Sequence, residues 1–395
     1  MTMRILYVHE RFGALAGAES NVGLTGRELK KRGHEIALLH GPGTGKGEEA
    51  WRETFSPRFP LDSAPRAAAE RALREFAPDI IYVHKMADLG VIETLVRSGR
   101  ATARMVHDHD IYCMRSYKYN YFTRAICRRP AGLHCVTLCG ASLARNRAGG
   151  FPLKWVSYSD KKKEIRLNQE FGRMVVVSRY MRDELLANGF DPARIEIHPP
   201  VPLLGDPDLQ ANRAQRNLIL FAGQIIRGKG LDVLLRALAL IRTPFECLVL
   251  GDGSHRAHCE ALSRKLKLGE RVRFLGFVPQ ENLKKYYSEG TVFALPSVWP
   301  EPFATVGMEV MRYGLPVVAF DVGGISDWLH DGENGYLVPV GDAPALARRL
   351  EGLLLDKTLA RQMGQRGLEL VNERFGFNAY LQNLEGMFSN LLTAK

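Results

Sequence analysis

No run of about 18 apolar residues occurs in this chain of 395 residues, which excludes an apolar membrane-spanning helix. The N-terminus also lacks a secretory apolar core: Arg4 interrupts it, and Ile5-Leu6-Tyr7-Val8 is only strand-length. The expected location is therefore the cytoplasm. Cysteine is scarce, at six residues, and a cytosolic setting excludes a disulfide framework. Acidic residues are nearly missing from one segment: residues 111–166 hold 12 basic and 2 acidic side chains, so +10 of the net +11 lies there. Such a local excess excludes a uniformly basic, nucleic-acid-coating protein. The composition is not poor in apolar residues. At 46% hydrophobic and 25% charged it excludes general disorder, and the length suits two or three domains with real cores.

What is present is an alternation of short apolar runs with amphipathic ones. Residues 4–8, 35–39, 80–83, 104–106 and 174–177 read as strands, and 18–32 reads as a helix ended by Gly33. A proline-rich stretch from His198 to Pro202, followed by a polar run to Asn217, reads as a linker. The alternation then restarts. Strands are expected at 218–221, 247–250, 272–275, 292–295 and 317–320, with helices between them and three more at 343–355, 359–374 and 378–392. Strands alternating with helices imply parallel sheets covered on both faces. The expectation is an α/β chain of two Rossmann-like domains with a cleft between them, ligands binding at the carboxyl ends of the strands.

The strongest chemical signal is Glu301-Pro302-Phe303-Ala304-Thr305-Val306-Gly307-Met308-Glu309. Eight residues is about 2.2 helical turns, so two near-helical carboxylates would face one side. The amides of Phe303, Ala304 and Thr305 lie where a helix begins, a position that favours an anion. A carboxylate can also accept paired sugar hydroxyls. Taken by itself, the pair is equally a solvated couple of glutamates.

The segment resembles the E-x7-E motif of the retaining glycosyltransferases of family 4, whose fold, GT-B, has two facing Rossmann-like domains. Leu295-Pro296-Ser297 before it and Gly314-Leu315-Pro316-Val317-Val318-Ala319 after it fit the same pattern. So do Val322-Gly323-Gly324-Ile325, the run Asp331 to Val338, Gly251-Asp252-Gly253 and Phe274 to Val278. The likeness covers 216–375 strongly and the first half more weakly. It implies Glu309 on the ribose hydroxyls and Glu301 on the transferred sugar. It places the amides of Phe303, Ala304 and Thr305 on sugar and phosphate, and Phe277 and Val278 near the base, with Gly251 in a nucleotide-side loop. It further implies an acceptor-side domain at 1–203 carrying the insert 111–166, a linker at 204–216 and a nucleotide-sugar domain at 217–376. The last helix, 377–395, would cross back onto the first domain.

Gly223-Gln224-Ile225-Ile226-Arg227-Gly228-Lys229-Gly230 is a glycine-rich turn with two cations, able to neutralise a diphosphate leaving group. Lys229 matches the family lysine. The family usually has arginine where Gln224 stands, and Arg227 is the candidate replacement. Phe12 to Ser20 resembles the family's N-terminal glycine loop, with Gly17 as its match, although a plain strand–helix turn explains it nearly as well. In His107-Asp108-His109-Asp110, His107 matches the histidine that contacts the donor sugar. The two aspartates are a weak metal signal.

Gly41 to Gly47 imitates a Walker loop but fails it, since His40 replaces the first glycine and Gly47 the serine or threonine. Cys113, Cys127, Cys135 and Cys139 can supply four thiolates to a structural zinc, although their gaps are long for paired knuckles. The tyrosines interleaved with cations in 111–166 suit a nucleic acid, or an anionic or lipid-linked acceptor at a membrane surface. The reading as a whole is a retaining glycosyltransferase with a nucleotide-diphosphate sugar as donor. No further cofactor and no catalytic metal are expected, because Lys229 and Arg227 carry the charge. The expected acceptor is a saccharide or lipid-linked hydroxyl, with peripheral contact at the inner face of the membrane and no nucleic-acid partner. A nucleotide-sugar epimerase of the same fold and, below it, a nucleic-acid-binding module are the alternatives.

Overall fold

The computed structural model describes residues 2–13, 17–120, 123–145, 153–201 and 216–393. Ala14, Leu15 and Ala16 of the glycine loop, Tyr121, Phe122 and nearly all of the expected linker lie outside the described residues.

The chain forms two compact units. The first is Met1–Lys118, Cys127–Pro200 and Phe377–Lys395. Its strands are β1 (Arg4–His9), β2 (Glu35–His40), β3 (Arg58–Pro60), β4 (Ile80–Lys85), β5 (Ala101–Val106), β6 (Leu143–Arg145), β7 (Leu153–Trp155), β8 (Arg173–Val176) and β9 (Ile195–Ile197). Seven of them make one parallel sheet in the order β3-β2-β1-β4-β5-β8-β9. β1, β4 and β5 are buried along nearly their whole length, as a sheet covered on both faces requires. β6 and β7 form a separate antiparallel pair.

Local chemistry sets the helix ends. Helix Gly17–Lys31 stops at Gly33, whose φ of +93° suits a residue without Cβ, and the amide of His34 bonds back to the Leu29 carbonyl. Ser178 caps helix Arg179–Ala187 by accepting from the Met181 amide. Helix Phe377–Thr393 packs within this first unit. Phe388 meets Tyr82 at 5.2 Å between ring centroids, and Glu385 accepts from Arg32 at 2.8 Å and from His34 at 3.0 Å.

The second unit is Val201–Gly376 together with Tyr119–Ile126. Its strands are β10 (Leu218–Ala222), β11 (Glu246–Leu250), β12 (Val272–Gly276), β13 (Val292–Leu295), β14 (Val317–Phe320) and β15 (Gly335–Val338). They form a parallel sheet in the order β12-β11-β10-β13-β14-β15. The presence of Tyr119–Ile126 here departs from the sequence expectation, which kept all of 111–166 with the first half. A partly buried ion pair ties the segment there: Arg124 Nη2 lies 3.0 Å from Oδ1 of Asp232, on helix Leu231–Leu238. The two residues are 108 apart in sequence, beyond the reach of any local pattern.

Candidate functional site

In the second unit the carboxyl ends of β10, β11 and β12 each carry a glycine, and the three are packed backbone to backbone. The Gly223 amide bonds the Leu250 carbonyl at 2.9 Å, and the Gly251 amide bonds the Gly276 carbonyl at 2.7 Å. Gly251 has φ +148°, and a Cβ there would sit 1.9 Å from the Gly223 carbonyl oxygen. Only hydrogen fits, which explains the residue type and leaves a shelf of main chain that a ligand can approach. Next to it, Ile225 exchanges main-chain bonds with Asp252 and His255, so the loops 223–230 and 251–255 interlock. Gln224 is exposed, Arg227 is half-buried, and Arg227–Lys229 form a tight 3-10 turn.

Lys229 Nζ lies 2.7 Å from Oε1 of Glu301, which is buried. The same oxygen accepts from the Ser297 hydroxyl and, at 2.8 Å, from Trp299 Nε1. Lys229 also sits 5.4 Å from the centroid of the Trp299 ring. Three donors therefore converge on Oε1, and among the described residues none reaches Oε2. That oxygen can accept from a ligand hydroxyl. Ser297 and Trp299 were missed by the sequence reading. The only signal for them was their place in the run leading to Glu301.

Glu309 lies within helix Thr305–Met311, whereas Glu301 precedes that helix and Ala304 between them is left-handed at φ +61°. Helical spacing therefore does not relate the two glutamates, contrary to expectation. A non-glycine residue at positive φ costs energy and marks a constrained turn. Glu309 is half-buried, and desolvation alone pushes its carboxyl up to about 7. Phe303 is a core residue: its ring meets Phe375 at 5.9 Å and its carbonyl accepts from Trp328 Nε1. Thr305 opens the helix. Phe277, at the end of β12, is 78% exposed. With Val278 it borders a depression also lined by Leu275, Pro279 and Tyr286.

In the first unit, His107 follows β5 and His84 is the next-to-last residue of β4. Nδ1 of His84 is 3.0 Å from Nε2 of His107, and the Tyr7 ring lies 5.2 Å beyond His84. Burial, reinforced by His9, Lys85 and Arg104, drives the His107 pKa down to about 3, so its imidazole is neutral. Lys85 Nζ bridges Asp108 (3.0 Å) and Asp110 (2.8 Å). Burial and Asp110 raise Asp108 to about 6 against the pull of Lys85. An ammonium group thus takes the place that a metal would need between the two aspartates. His109 is fully buried against the Tyr112 hydroxyl at 2.8 Å, a structural arrangement. Gly17 is the first, exposed residue of its helix.

The four clustered cysteines are free thiols, and no three of their sulfurs come within 4.8 Å of one another. The expected zinc site is therefore not assembled. Burial raises the Cys135 thiol pKa, with smaller contributions from the other three. Among the described residues the ligand-type group closer than that is Asp232, His255 and His258. Its carboxylate is already held by Arg124.

Two parallel α/β sheets in separate units, the second with its glycine shelf and buried Glu301, define the GT-B class of fold. The family model described as "Glycosyl transferases group 1" matches residues 208–370, and "Glycosyltransferase Family 4" matches residues 15–201. The chain belongs to these GT-B glycosyltransferases of group 1 and family 4. It is 37% identical over 182 residues to a D-inositol 3-phosphate glycosyltransferase of Corynebacterium diphtheriae, covering 44% of this chain and 42% of that protein. It is 30% identical over 198 residues to an alpha-D-kanosaminyltransferase of Streptomyces kanamyceticus, covering 47% and 51%. The chain spans about half the length of these curated relatives. Anabaena HepE, solved in complex with UDP, superposes with a TM-score of 0.72 at 18% identity, over 99% of this chain and 100% of that one.

Proposed function

We propose that the chain is a retaining glycosyltransferase that moves a sugar from a nucleoside-diphosphate donor to a saccharide or lipid-linked hydroxyl acceptor, in glycan or cell-envelope polysaccharide synthesis. The observation that carries this reading is Glu301. Its Oε1 is saturated by Lys229, Ser297 and Trp299, none of the described residues bonds its Oε2, and the loop that carries Lys229 begins at the glycine shelf. A fixed carboxylate with one open oxygen suits a sugar hydroxyl, and bare main chain with neighbouring cations suits a diphosphate. HepE, of the same fold, holds UDP, which makes UDP-sugars the first donors to try.

In this reading Gly223, Gln224 and Gly251 let main chain approach the diphosphate, while Lys229 and Arg227 stabilise the charge that grows on it as the glycosidic bond breaks. Glu309 accepts from the ribose hydroxyls, and exposed Phe277 with Val278 covers the base. Phe303, Ala304 and Thr305 support sugar and phosphate through their amides. His107 is assigned to the sugar and Gly17 to the diphosphate. The acceptor attacks from the face the leaving group vacates, with the departing phosphate taking its proton.

Thermal shift against a panel of nucleoside diphosphates tests the donor. A ligand at a hundred times its Kd stabilises the native state by about 2.7 kcal/mol, a rise of a few degrees. If no nucleoside diphosphate raises the Tm, the reading fails. The anomeric configuration of the first-formed product, read by proton NMR, tests retention separately. Turnover of donor without acceptor to an epimeric nucleotide sugar would point to the epimerase instead.

A further inference from the structure

Ten large apolar side chains are exposed among the described residues, and five of them fall inside 111–166. That segment is about a seventh of the chain and already carries its charge excess. Leu133 and Leu138, flanking the short helix His134–Thr137, are 72% and 74% exposed. Leu143 and Trp155 are direct cross-strand partners on β6 and β7, and are 52% and 71% exposed. Both elements rest on one small core of Met114, Cys135 and Ala141, against which Cys139, Val156 and Tyr158 also pack. The apolar side chains thus stand outward on a subdomain whose inward contacts are already made.

Among the described side chains, the cations of the segment include two sets. Lys118 is buried against Glu184 at 2.8 Å, Arg124 is paired with Asp232, and Lys161 is tied to Glu164 and the Asp110 carbonyl. These cations are engaged by partners within the fold. Arg128, Arg129, Lys162 and Arg166 are exposed, and the first two lead directly into Leu133. The sequence reading treated all twelve cations as one patch. The structure leaves a smaller set beside an exposed Trp and three Leu.

We infer that the insert docks this protein onto an anionic lipid bilayer, with Trp155, Leu143, Leu133 and Leu138 entering the headgroup boundary and Arg128, Arg129 and Lys162 facing the lipid phosphates. Indole and leucine side chains with long basic ones are the residues that lie stably at such a boundary. Neither attraction suffices alone. A few basic side chains give salt-sensitive binding, and a few apolar ones give weak, charge-blind binding. A nucleic-acid partner would use the same cations, but it gives the exposed leucines no role. The inference does not depend on the proposed sugar transfer, because docking needs neither donor nor acceptor.

The test is flotation of the full chain with phosphatidylcholine vesicles, with and without roughly a third phosphatidylglycerol. Binding is expected only to the anionic vesicles and should fall steeply with salt. Replacing Arg128, Arg129 and Lys162 together by Ala should weaken it about a hundredfold, at about fivefold per charge. Trp155→Ser should weaken it about tenfold and abolish quenching of tryptophan fluorescence by brominated lipid. All the altered side chains are exposed, so the Tm should stay within a degree or two and confirm folding. Equal binding to neutral and anionic vesicles, or anionic binding unchanged in both variants, would overturn the inference. So would failure to float accompanied by oligonucleotide binding that the triple variant loses, an outcome that identifies the surface as a nucleic-acid site.

Discussion

Nδ1 of His84 and Nε2 of His107 share a 3.0 Å hydrogen bond between rings only 20° from parallel. Both imidazoles are neutral, because burial holds both pKa values low. One ring must therefore donate and the other accept. His84 Nε2 is buried with no partner, and it feels the charge of Arg104, whose Nε and Nη1 are buried N–H groups with no acceptor. A lone pair there is favourable, whereas another N–H would be repelled. His84 therefore donates from Nδ1, and His107 carries its own proton on Nδ1. Among the described residues nothing bonds that nitrogen, so His107 presents a hydrogen-bond donor there and not a base. Two-bond proton–nitrogen NMR of histidine-labelled protein should show the Nδ1–H tautomer at His107. His84→Leu should shift it toward Nε2–H, and His84→Asn, which keeps a donor, should preserve it. An Nε2–H tautomer in the native protein would contradict this assignment.

Removal of the Lys229 ammonium should slow the reaction more than it weakens binding. Lys229→Ala is expected to lower kcat about a hundred- to a thousandfold, as loss of one donor to a developing anion does elsewhere. Glu301 would keep Ser297 and Trp299 as donors, so the protein should still fold. Steady-state kinetics with the donor identified by thermal shift would show an unchanged kcat if the lysine had no part in leaving-group departure.

Glu309 predicts a pH dependence of unusual sign. Its pKa lies near 7 in the folded protein, above its ordinary value of 4.5. The protonated form therefore favours folding, and the associated stability is fully present below about 4.5 and lost as pH rises to about 7. Donor binding should run the other way, strengthening across pH 7 as the carboxylate proposed to accept the ribose hydroxyls forms. Glu309→Gln should flatten both trends, raise the Tm at pH 8 and weaken donor binding. Parallel Tm and calorimetric titrations of native protein and variant, with no difference between their slopes, would refute this.

Gly251→Ala places a Cβ within 1.9 Å of the Gly223 carbonyl at a φ suited to glycine. The two loops cannot both keep their positions. A destabilisation of at least about 2 kcal/mol is expected, with loss of nucleotide binding. Gly269→Ala, at φ +54° with no atom within 4 Å of the new Cβ, should cost less in melting temperature and leave binding intact.

Much of the second unit is legible in the sequence. The strands at Val292–Leu295 and Val317–Phe320 and the helix Ala343–Leu355 begin and end where their apolar periodicity places them. Strand β15 was overlooked because Gly335 to Val338 was read only as part of a motif, and a four-residue strand carries too little pattern of its own. Helices 65–76, 89–96 and 158–169 also go beyond the elements expected from sequence, although Ser157 and Asp88 cap two of them.

The sequence by itself determined the alternation of strand and helix, the order and spacing of the motifs, the seat of the excess charge and the positions of the glycine-rich turns. These follow from local periodicity and from the steric limits of single residues. Only the tertiary structure decided which oxygen of Glu301 is occupied, how strongly Glu309 is desolvated and that His84 meets His107. It alone showed that Arg124 reaches Asp232 and that four neighbouring cysteines keep their sulfurs apart. Each of these depends on a contact between distant segments or on the dielectric around a side chain, and both arise only when whole elements pack.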